Sequence, residues 1–345
     1  MHRIAWVDFA KGFTILTVIL GHAVVYNEKI FHAILIIVYE FHMPFFFIMA
    51  GFLLNLDKWS GAENYKNFTL KLAKRLLLPY YLAEFLWYPI WFIVCHEAEY
   101  LKYMWHWVET NPFIAFFAIF IGNGNSSGLT LGQLWFLPAL LVAEIIFIKL
   151  YNRLNKIGAE VFVLALATCS LSGLLLGKIY ALPFGTDIAL AAQIFILVGV
   201  LIRKYNFVDK MNLKLCCGLM LIVIFDFYFN IHVDMNFRQY GDPFLFYAGG
   251  IAGTLIVMKL SALMTEGKIF SLISDCGRQS MMILVLHPII ANIFYEIIAA
   301  STNFSPEVFF TEPIIIFGAT TAGVLIPLFI AKKFGKLPVL KYFCP

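Results

Sequence analysis

Long apolar runs separated by short polar segments make up most of this chain. Runs of this kind suit a hydrocarbon core of about 30 Å, in which an α-helix satisfies its own backbone polar groups. They predict ten membrane-spanning helices, at residues 10–27, 33–56, 73–95, 133–150, 159–176, 187–202, 212–230, 243–260, 279–299 and 312–331. The shorter run 112–122 is predicted to be interfacial or re-entrant.

Positive charges fall mainly on alternate connections between these runs. With the N-terminus inside, the inner segments hold 21 of the 25 Lys and Arg residues, and the outer ones hold Lys29, Lys102, Lys178 and Arg238. Cytoplasmic loops of membrane proteins carry such an excess. The sequence therefore predicts an all-α, polytopic integral membrane protein with about ten transmembrane helices and both termini cytoplasmic.

The composition supports one membrane domain over residues 1–345 without a separate soluble domain. Hydrophobic residues make up 61% of the chain and charged residues 13%, against about 45–50% apolar in soluble domains. No cleavable signal peptide is expected, because Tyr26-Asn27-Glu28 follows the first run. We expect a multi-pass protein of the cell (cytoplasmic or inner) membrane.

Charge and cysteine spacing exclude some other classes of function. The net charge of +4 is spread over loops, so no nucleic-acid partner is expected. The six cysteines show neither metal-ligand spacing nor a disulfide framework, and no metal is expected.

The first run carries a histidine where a membrane helix seldom has an ionisable residue. Lys11 and His22 are eleven residues apart, which is about three helical turns, roughly 16 Å, and within about 20° of one face. An extended anionic ligand could place its phosphates at Lys11 and its far end at His22. The alternative is that Lys11 is a positive flank and His22 a packing residue.

Five blocks in order along the chain resemble the membrane acyltransferase 3 family, and more closely its fucose-4-O-acetylase-like branch. They are Trp6-Val-Asp-Phe-Ala-Lys-Gly12 with Gly21-His22, the run 39–54, Lys74-Arg-Leu-Leu-Leu-Pro-Tyr80, Gln133-Leu-Trp-Phe-Leu-Pro-Ala139, and Gly277-Arg-Gln-Ser with His287-Pro288. Two departures are Lys11, where the family more often has Arg, and Ile283–Leu286, where many members carry a Tyr.

The resemblance implies an activity and its partners. The family transfers acyl groups, most often acetyl, from cytoplasmic acyl-CoA to hydroxyls of sugars and cell-envelope polymers. We therefore expect a membrane O-acyltransferase with acyl-CoA as donor, a sugar or glycan as acceptor, and no permanently bound cofactor. Its other partner is the lipid bilayer, and the sequence is compatible with a monomer or a homo-oligomer. Without the hydrolase-like domain of longer members, transfer is expected within the membrane unit or by handing the group to a separate protein.

Acyl transfer to a hydroxyl needs a base and stabilisation of the carbonyl oxygen. His22 is predicted to be the base, and His42, at a similar predicted depth, is predicted to be a further catalytic residue. Glu40 could orient a histidine as the acid of a triad does. The alternative for Glu40 is that it reaches water near the outer end of its helix.

A basic cluster is predicted to bind the phosphates of CoA. Its members are Lys11, Lys71, Arg75 and Arg278. The alternative is an ordinary positive-inside flank.

Four further residues are predicted to contact the acceptor. They are Trp135, which could stack on a sugar ring, and the polar residues Gln133, His287 and Glu84. The alternatives are an aromatic-belt Trp, a core histidine and a carboxylate paired with a histidine. Ser280 is expected to cap its helix.

Two other classes of function compete with the enzyme. A proton-coupled transporter would use the same intramembrane histidines and carboxylates. A non-catalytic membrane partner would need neither.

Overall fold

The described part of the chain is helical. A computed structural model describes residues 4–24, 28–97, 111–124, 128–230, 233–264, 266–302 and 312–344. Within them the non-helical pairing is one isolated β-bridge between Asp234 and Gln239. In chain order the helices are α1 (Ala5–Val24), α2 (Glu28–Leu53), α3 (Leu56–Trp59), α4 (Ala62–Glu97), α5 (Pro112–Ile121), α6 (Phe136–Leu154), α7 (Ala159–Gly177), α8 (Thr186–Ala191), α9 (Gln193–Lys204), α10 (Phe207–Lys210), α11 (Leu213–Phe229), α12 (Pro243–Leu263), α13 (Lys268–Arg278), α14 (Ser280–Ser301) and α15 (Pro313–Phe334).

Seven helices among the described residues are long and apolar enough to cross a membrane, and the bent pair α8–α9 makes up to eight. The seven are α2, α4, α6, α7, α12, α14 and α15. The two other predicted spans overlap α1 and α11, which have 20 and 17 residues and are not among the seven. The ten-span topology and the sidedness of the termini stay predictions.

Two predicted spans differ in form. Helix α4 has 36 residues, about 54 Å, so it extends well beyond the predicted span 73–95. The single span predicted at 187–202 is wrong in shape, because α8 and α9 are bent by 55° at their junction. There Gln193 Nε2 donates to the carbonyl of Ala189 at 2.7 Å and to that of Ala143 at 3.2 Å.

The short run forms α5, whose 10 residues reach about 15 Å. The Asn111 side chain accepts from the amides of Phe113 and Ile114, and Gly122 ends the helix in a left-handed conformation. A helix of this length does not cross a bilayer by itself.

Helices α1 and α13 cross at two glycines. A Cβ atom on Gly12 would lie 1.8 Å from the carbonyl oxygen of Ile273, and one on Gly277 would lie 1.8 Å from that of Asp8. Small residues at a crossing let backbones approach closely. This contact fixes the segment of α1 that carries Lys11.

The chain makes a tight turn between α11 and α12, within residues 233–241, which we call the connecting hairpin. Asp234 and Gln239 pair through two backbone hydrogen bonds. Asp234 Oδ1 also accepts from the amides of Asn236, at 2.8 Å, and Phe237, at 3.2 Å. Arg238 lies in the left-handed region, with φ of 60°.

A buried ion pair ties the connecting hairpin to α8. Arg238 Nε donates to Asp187 Oδ2 at 2.9 Å, and Arg238 Nη1 donates to the carbonyl of Asn236 at 2.7 Å. Both charged side chains are buried, with exposed fractions of 5% for Arg238 and 0% for Asp187. The hairpin is therefore held at both its turn and its base.

Candidate active site

One cavity of about 910 Å³ lies between α1, α2, α4, α6, α14 and the connecting hairpin. This volume lies in the range of ligand sites. The cavity brings together most of the residues that the sequence singles out. They are Lys11, His22, His42, Lys71, Arg75, Gln133, Trp135 and His287.

Three histidines line this cavity. The rings of His22 and His287 stack with centroids 5.7 Å apart and planes at 24°. His287 and His42 are buried, whereas His22, which also lines the cavity, is exposed.

The hydrogen bonds of two of these histidines define their tautomers. His42 Nδ1 lies 2.7 Å from the carbonyl of Val38, and His287 Nδ1 lies 3.0 Å from that of Ile283. Because a carbonyl only accepts, each Nδ1 carries the hydrogen, and Nε2 of a neutral ring is an acceptor. These two rings are therefore held in the tautomer that carries its hydrogen on Nδ1.

The cavity has a basic end. Lys11, Lys71 and Arg75 line it, and so does Lys58, which the sequence analysis missed. The Nζ atoms of Lys58 and Lys71 lie 4.9 and 5.9 Å from the ring centroid of Trp59, which also lines the cavity. A Lys-Trp pair just after the second apolar run is the signal that could have revealed this corner.

Arg75 is positioned by a carboxylate from another helix. Its Nη2 donates to Glu144 Oε1 at 2.8 Å. The Glu144 side chain is 4% exposed and the Arg75 side chain 52%. A buried carboxylate needs such a partner, and the arrangement leaves much of Arg75 accessible to a ligand.

The opposite end of the cavity meets the connecting hairpin. Gln133 and Trp135 line this hairpin end, together with Asp234, Asn236 and Phe237, which the sequence analysis missed. Trp135 is 5% exposed and packs edge-on against Phe136. Asp234 and Asn236 sit in a polar segment without a long apolar run, so no pattern marked them.

Glu40 does not line the cavity. It lies against Asp226, and a Cβ atom on Gly249 would be 2.7 Å from Glu40 Oε1 and 3.0 Å from Asp226 Oδ2. Asp226 Oδ1 accepts from Asn230 Nδ2 at 3.0 Å. Glu40 therefore faces a second carboxyl group rather than a cavity histidine.

Glu84 and Arg278 also lie outside the cavity wall. Glu84 Oε2 accepts from Thr130 Oγ1 at 3.1 Å, and Thr130 lines the cavity. Glu84 therefore positions a lining residue without lining the cavity itself. Arg278 pairs with Asp275, which also binds Lys332.

The cap predicted for Ser280 is wrong. Gln279 occupies the cap position of α14, and its side chain makes no capping hydrogen bond. Ser280 is the first helical residue and lines the cavity.

The sequence places this fold and cavity in a known class. The family model described as "Acyltransferase domain", that of the acyltransferase 3 family, matches residues 4–332. The chain belongs to the acyltransferase 3 family, a family of membrane proteins, and is a membrane acyltransferase. No curated protein and no solved structure matches it significantly.

Proposed function

We propose that this protein is an O-acyltransferase that moves an acyl group from acyl-CoA to a hydroxyl of a sugar or cell-envelope glycan, and that the acyl group is acetyl. The observation that carries the proposal is that Lys11 and His22, on one helix, line the same cavity. The resemblance of five sequence blocks to the fucose-4-O-acetylase-like branch supports an acetyl donor and a fucose-like acceptor.

The basic end suits the phosphates of CoA. Lys11, Lys58, Lys71 and Arg75 place four cations on the cavity wall, and Lys58 and Lys71 both lie by the ring of Trp59. Hydrogen bonds from cations to phosphate are about twice as strong as neutral ones, and Glu144 orients the guanidinium of Arg75. The pantetheine arm then follows α1 for about three turns, roughly 16 Å, to His22.

With the CoA phosphates at the basic end, the thioester at the far end of the pantetheine arm lies beside His22. The acceptor hydroxyl oxygen attacks the thioester carbon while a nitrogen of His22 takes the hydroxyl proton. The carbon–sulfur bond then breaks, and the thiolate takes the proton from His22 as CoA leaves. The products are the ester and CoA with its thiol, and His22 returns to its neutral form.

The predicted topology gives the transfer a direction. With ten spans and cytoplasmic termini, the basic end faces the cytoplasm, where acyl-CoA is found, and the connecting hairpin lies on the outer side. The acceptor then arrives from the outer side or from lipid in the cytoplasmic membrane.

Labelled donor tests the proposal. Purified protein is incubated with acetyl-CoA labelled in the acetyl group and a cell-envelope glycan extract. We expect label on carbohydrate, lost by more than about a hundredfold in His22→Ala, because general acid–base catalysis contributes about 10²–10⁴-fold. Thr17→Ala is the control, since Thr17 is on the same helix and its hydroxyl donates to the backbone carbonyl of Thr14 at 2.8 Å.

Two results would contradict the proposal. Full transfer by His22→Ala would exclude His22 as the base. Proton-driven uptake into proteoliposomes without acyl transfer would instead favour the transporter.

A further inference from the structure

The hairpin end of the cavity combines acceptors, an amide pair and an exposed ring. Asp234 Oδ1 already serves two backbone amides, so hydrogen bonding to a ligand falls to Oδ2. Phe237 is 49% exposed and lines the cavity. These groups lie on the connecting hairpin, which the Asp187–Arg238 ion pair fixes in place.

Two amide side chains at this end have unused hydrogen-bonding capacity. Gln133 Nε2 and Asn236 Oδ1 are buried without a partner among the described residues. A Cβ atom on Gly124 would lie 2.3 Å from Asn236 Oδ1, so the glycine leaves the room that Asn236 occupies. A buried polar atom without a hydrogen-bond partner is unfavourable, and a ligand that bonds these amides removes that cost.

The cavity wall carries its Lys and Arg residues at one end, and Glu144, the carboxylate that lines that end, is paired with Arg75. Its Lys and Arg residues among the described wall are Lys11, Lys58, Lys71 and Arg75, all at the basic end. At the hairpin end the nearby Arg238 is buried and engaged with Asp187 and the Asn236 carbonyl. Asp234 therefore gives this end a negative field, which repels phosphate and favours ligands that donate hydrogen bonds.

We infer that the hairpin end is the acceptor subsite and that it selects an uncharged, hydroxyl-rich ring. Asp234 accepts from sugar hydroxyls, the amides of Asn236 and Gln133 meet further hydroxyls, and Phe237 packs on the apolar face of the ring. An amide both donates and accepts, which matches a hydroxyl group. This inference rests on the proposed function only in identifying the bound ring as the acceptor of the acyl group.

Direct sugar binding tests the inference. Saturation-transfer NMR is recorded on the purified protein in a detergent without a sugar headgroup. The probes are the methyl glycosides of glucose, galactose, mannose, fucose and rhamnose, with glucose 6-phosphate as the charged probe. We expect at least one glycoside to bind and glucose 6-phosphate to bind more weakly than methyl glucoside.

Three variants and one control locate the site. Asp234→Asn, Asn236→Ala and Phe237→Ala are each expected to weaken glycoside binding by about tenfold, the effect of losing one good contact. Gln239→Ala is the control, because Gln239 is exposed on the same hairpin and pairs through its backbone. Phe237→Ala removes an exposed ring without a role in the turn, so it guards against loss of the fold.

Several outcomes would overturn the inference. They are a panel without any binding glycoside while CoA binds, equal binding by Asp234→Asn and Gln239→Ala, or tighter binding of glucose 6-phosphate. Glycoside binding without any acyl transfer would refute the proposed function and leave the subsite standing. Acetyl transfer to a neutral glycan that is unchanged in Asp234→Asn would do the reverse.

Discussion

Substituting Gly12 by alanine tests the crossing that positions Lys11. The new Cβ would lie 1.8 Å from the carbonyl oxygen of Ile273, and 2.9 Å from the amide of Gly277. Such contacts are not made below about 3.0 Å, so the two backbones must separate by about 1.2 Å. Both obstructing atoms are backbone, so no side chain can rotate away.

The expected cost can be worked out from this displacement. Overpacking a core usually costs about 1–3 kcal/mol, and opposed backbones place this case near the upper end. Replacing glycine by alanine inside a helix returns up to about 1 kcal/mol. We expect Gly12→Ala to lose about 2 kcal/mol of folding free energy.

The same displacement should affect catalysis. A misplacement of about 1 Å can cost about 10²-fold in rate, and Lys11 comes immediately before Gly12 in α1. The assays are thermal unfolding in detergent and transfer from labelled acetyl-CoA. The control is Gly218→Ala in α11, where nothing lies within 4 Å of the new methyl group and stability should hold or rise.

A Gly12→Ala protein with the melting temperature and transfer rate of the parent would mean that α1 and α13 do not cross at this spacing. Equal losses in Gly12→Ala and Gly218→Ala would show instead that any helical glycine is sensitive.

Three other predictions concern charges. Lys71→Ala should raise KM for acetyl-CoA about fivefold, roughly 1 kcal/mol for one cation near phosphate, whereas Lys74→Ala, one turn away and off the cavity wall, should not. Burial raises the pKa of Asp234 to about 6, although its amide hydrogen bonds and the charge of Arg238 lower it. Because the protonated carboxyl is a weaker acceptor, glycoside binding should fall as the pH drops through 6, and Asp234→Asn should remove this pH dependence. Arg238→Met leaves Asp187 buried and unpaired, which should cost about 3–5 kcal/mol, and adding Asp187→Asn should restore part of the melting temperature.

Each of these has a clear contradiction. Equal KM values for the two lysine variants would remove Lys71 from the donor site. Binding that is constant from pH 7 to pH 5 would remove the Asp234 carboxylate from the acceptor subsite. An unchanged melting temperature in Arg238→Met would show that the ion pair does not hold the connecting hairpin.

The features that depend on spacing within one helix were the ones the sequence could predict. Apolar runs of this length predict helices because a helix buried in lipid satisfies its own backbone polar groups. Lys11 and His22 lie on one helix, so their common face follows from helical geometry. The bend between α8 and α9 was not predicted, because Gln193 sits in an apolar run and its hydrogen bond to Ala143 joins distant segments.

Contacts between helices were beyond the same reasoning. Arg75 and Glu144 are 69 residues apart, and Glu40 and Asp226 meet across Gly249. Which helix neighbours which is set by packing of small residues, and a single sequence does not reveal it. The role of the connecting hairpin was not predicted for a related reason. Its residues have the composition of any polar loop, so the sequence does not distinguish it from a simple connection.

The separation of the basic end from the hairpin end has an electrical consequence. On the proposed mechanism, the nucleotide with its negative charges stays at one face of the bilayer, and only a neutral acyl fragment reaches the other face. The work done by a transmembrane voltage scales with the charge moved, about 2.3 kcal/mol per elementary charge per 100 mV. Turnover in sealed vesicles should then be indifferent to an imposed voltage, and the protein would export a chemical group without drawing on the energised state of the membrane.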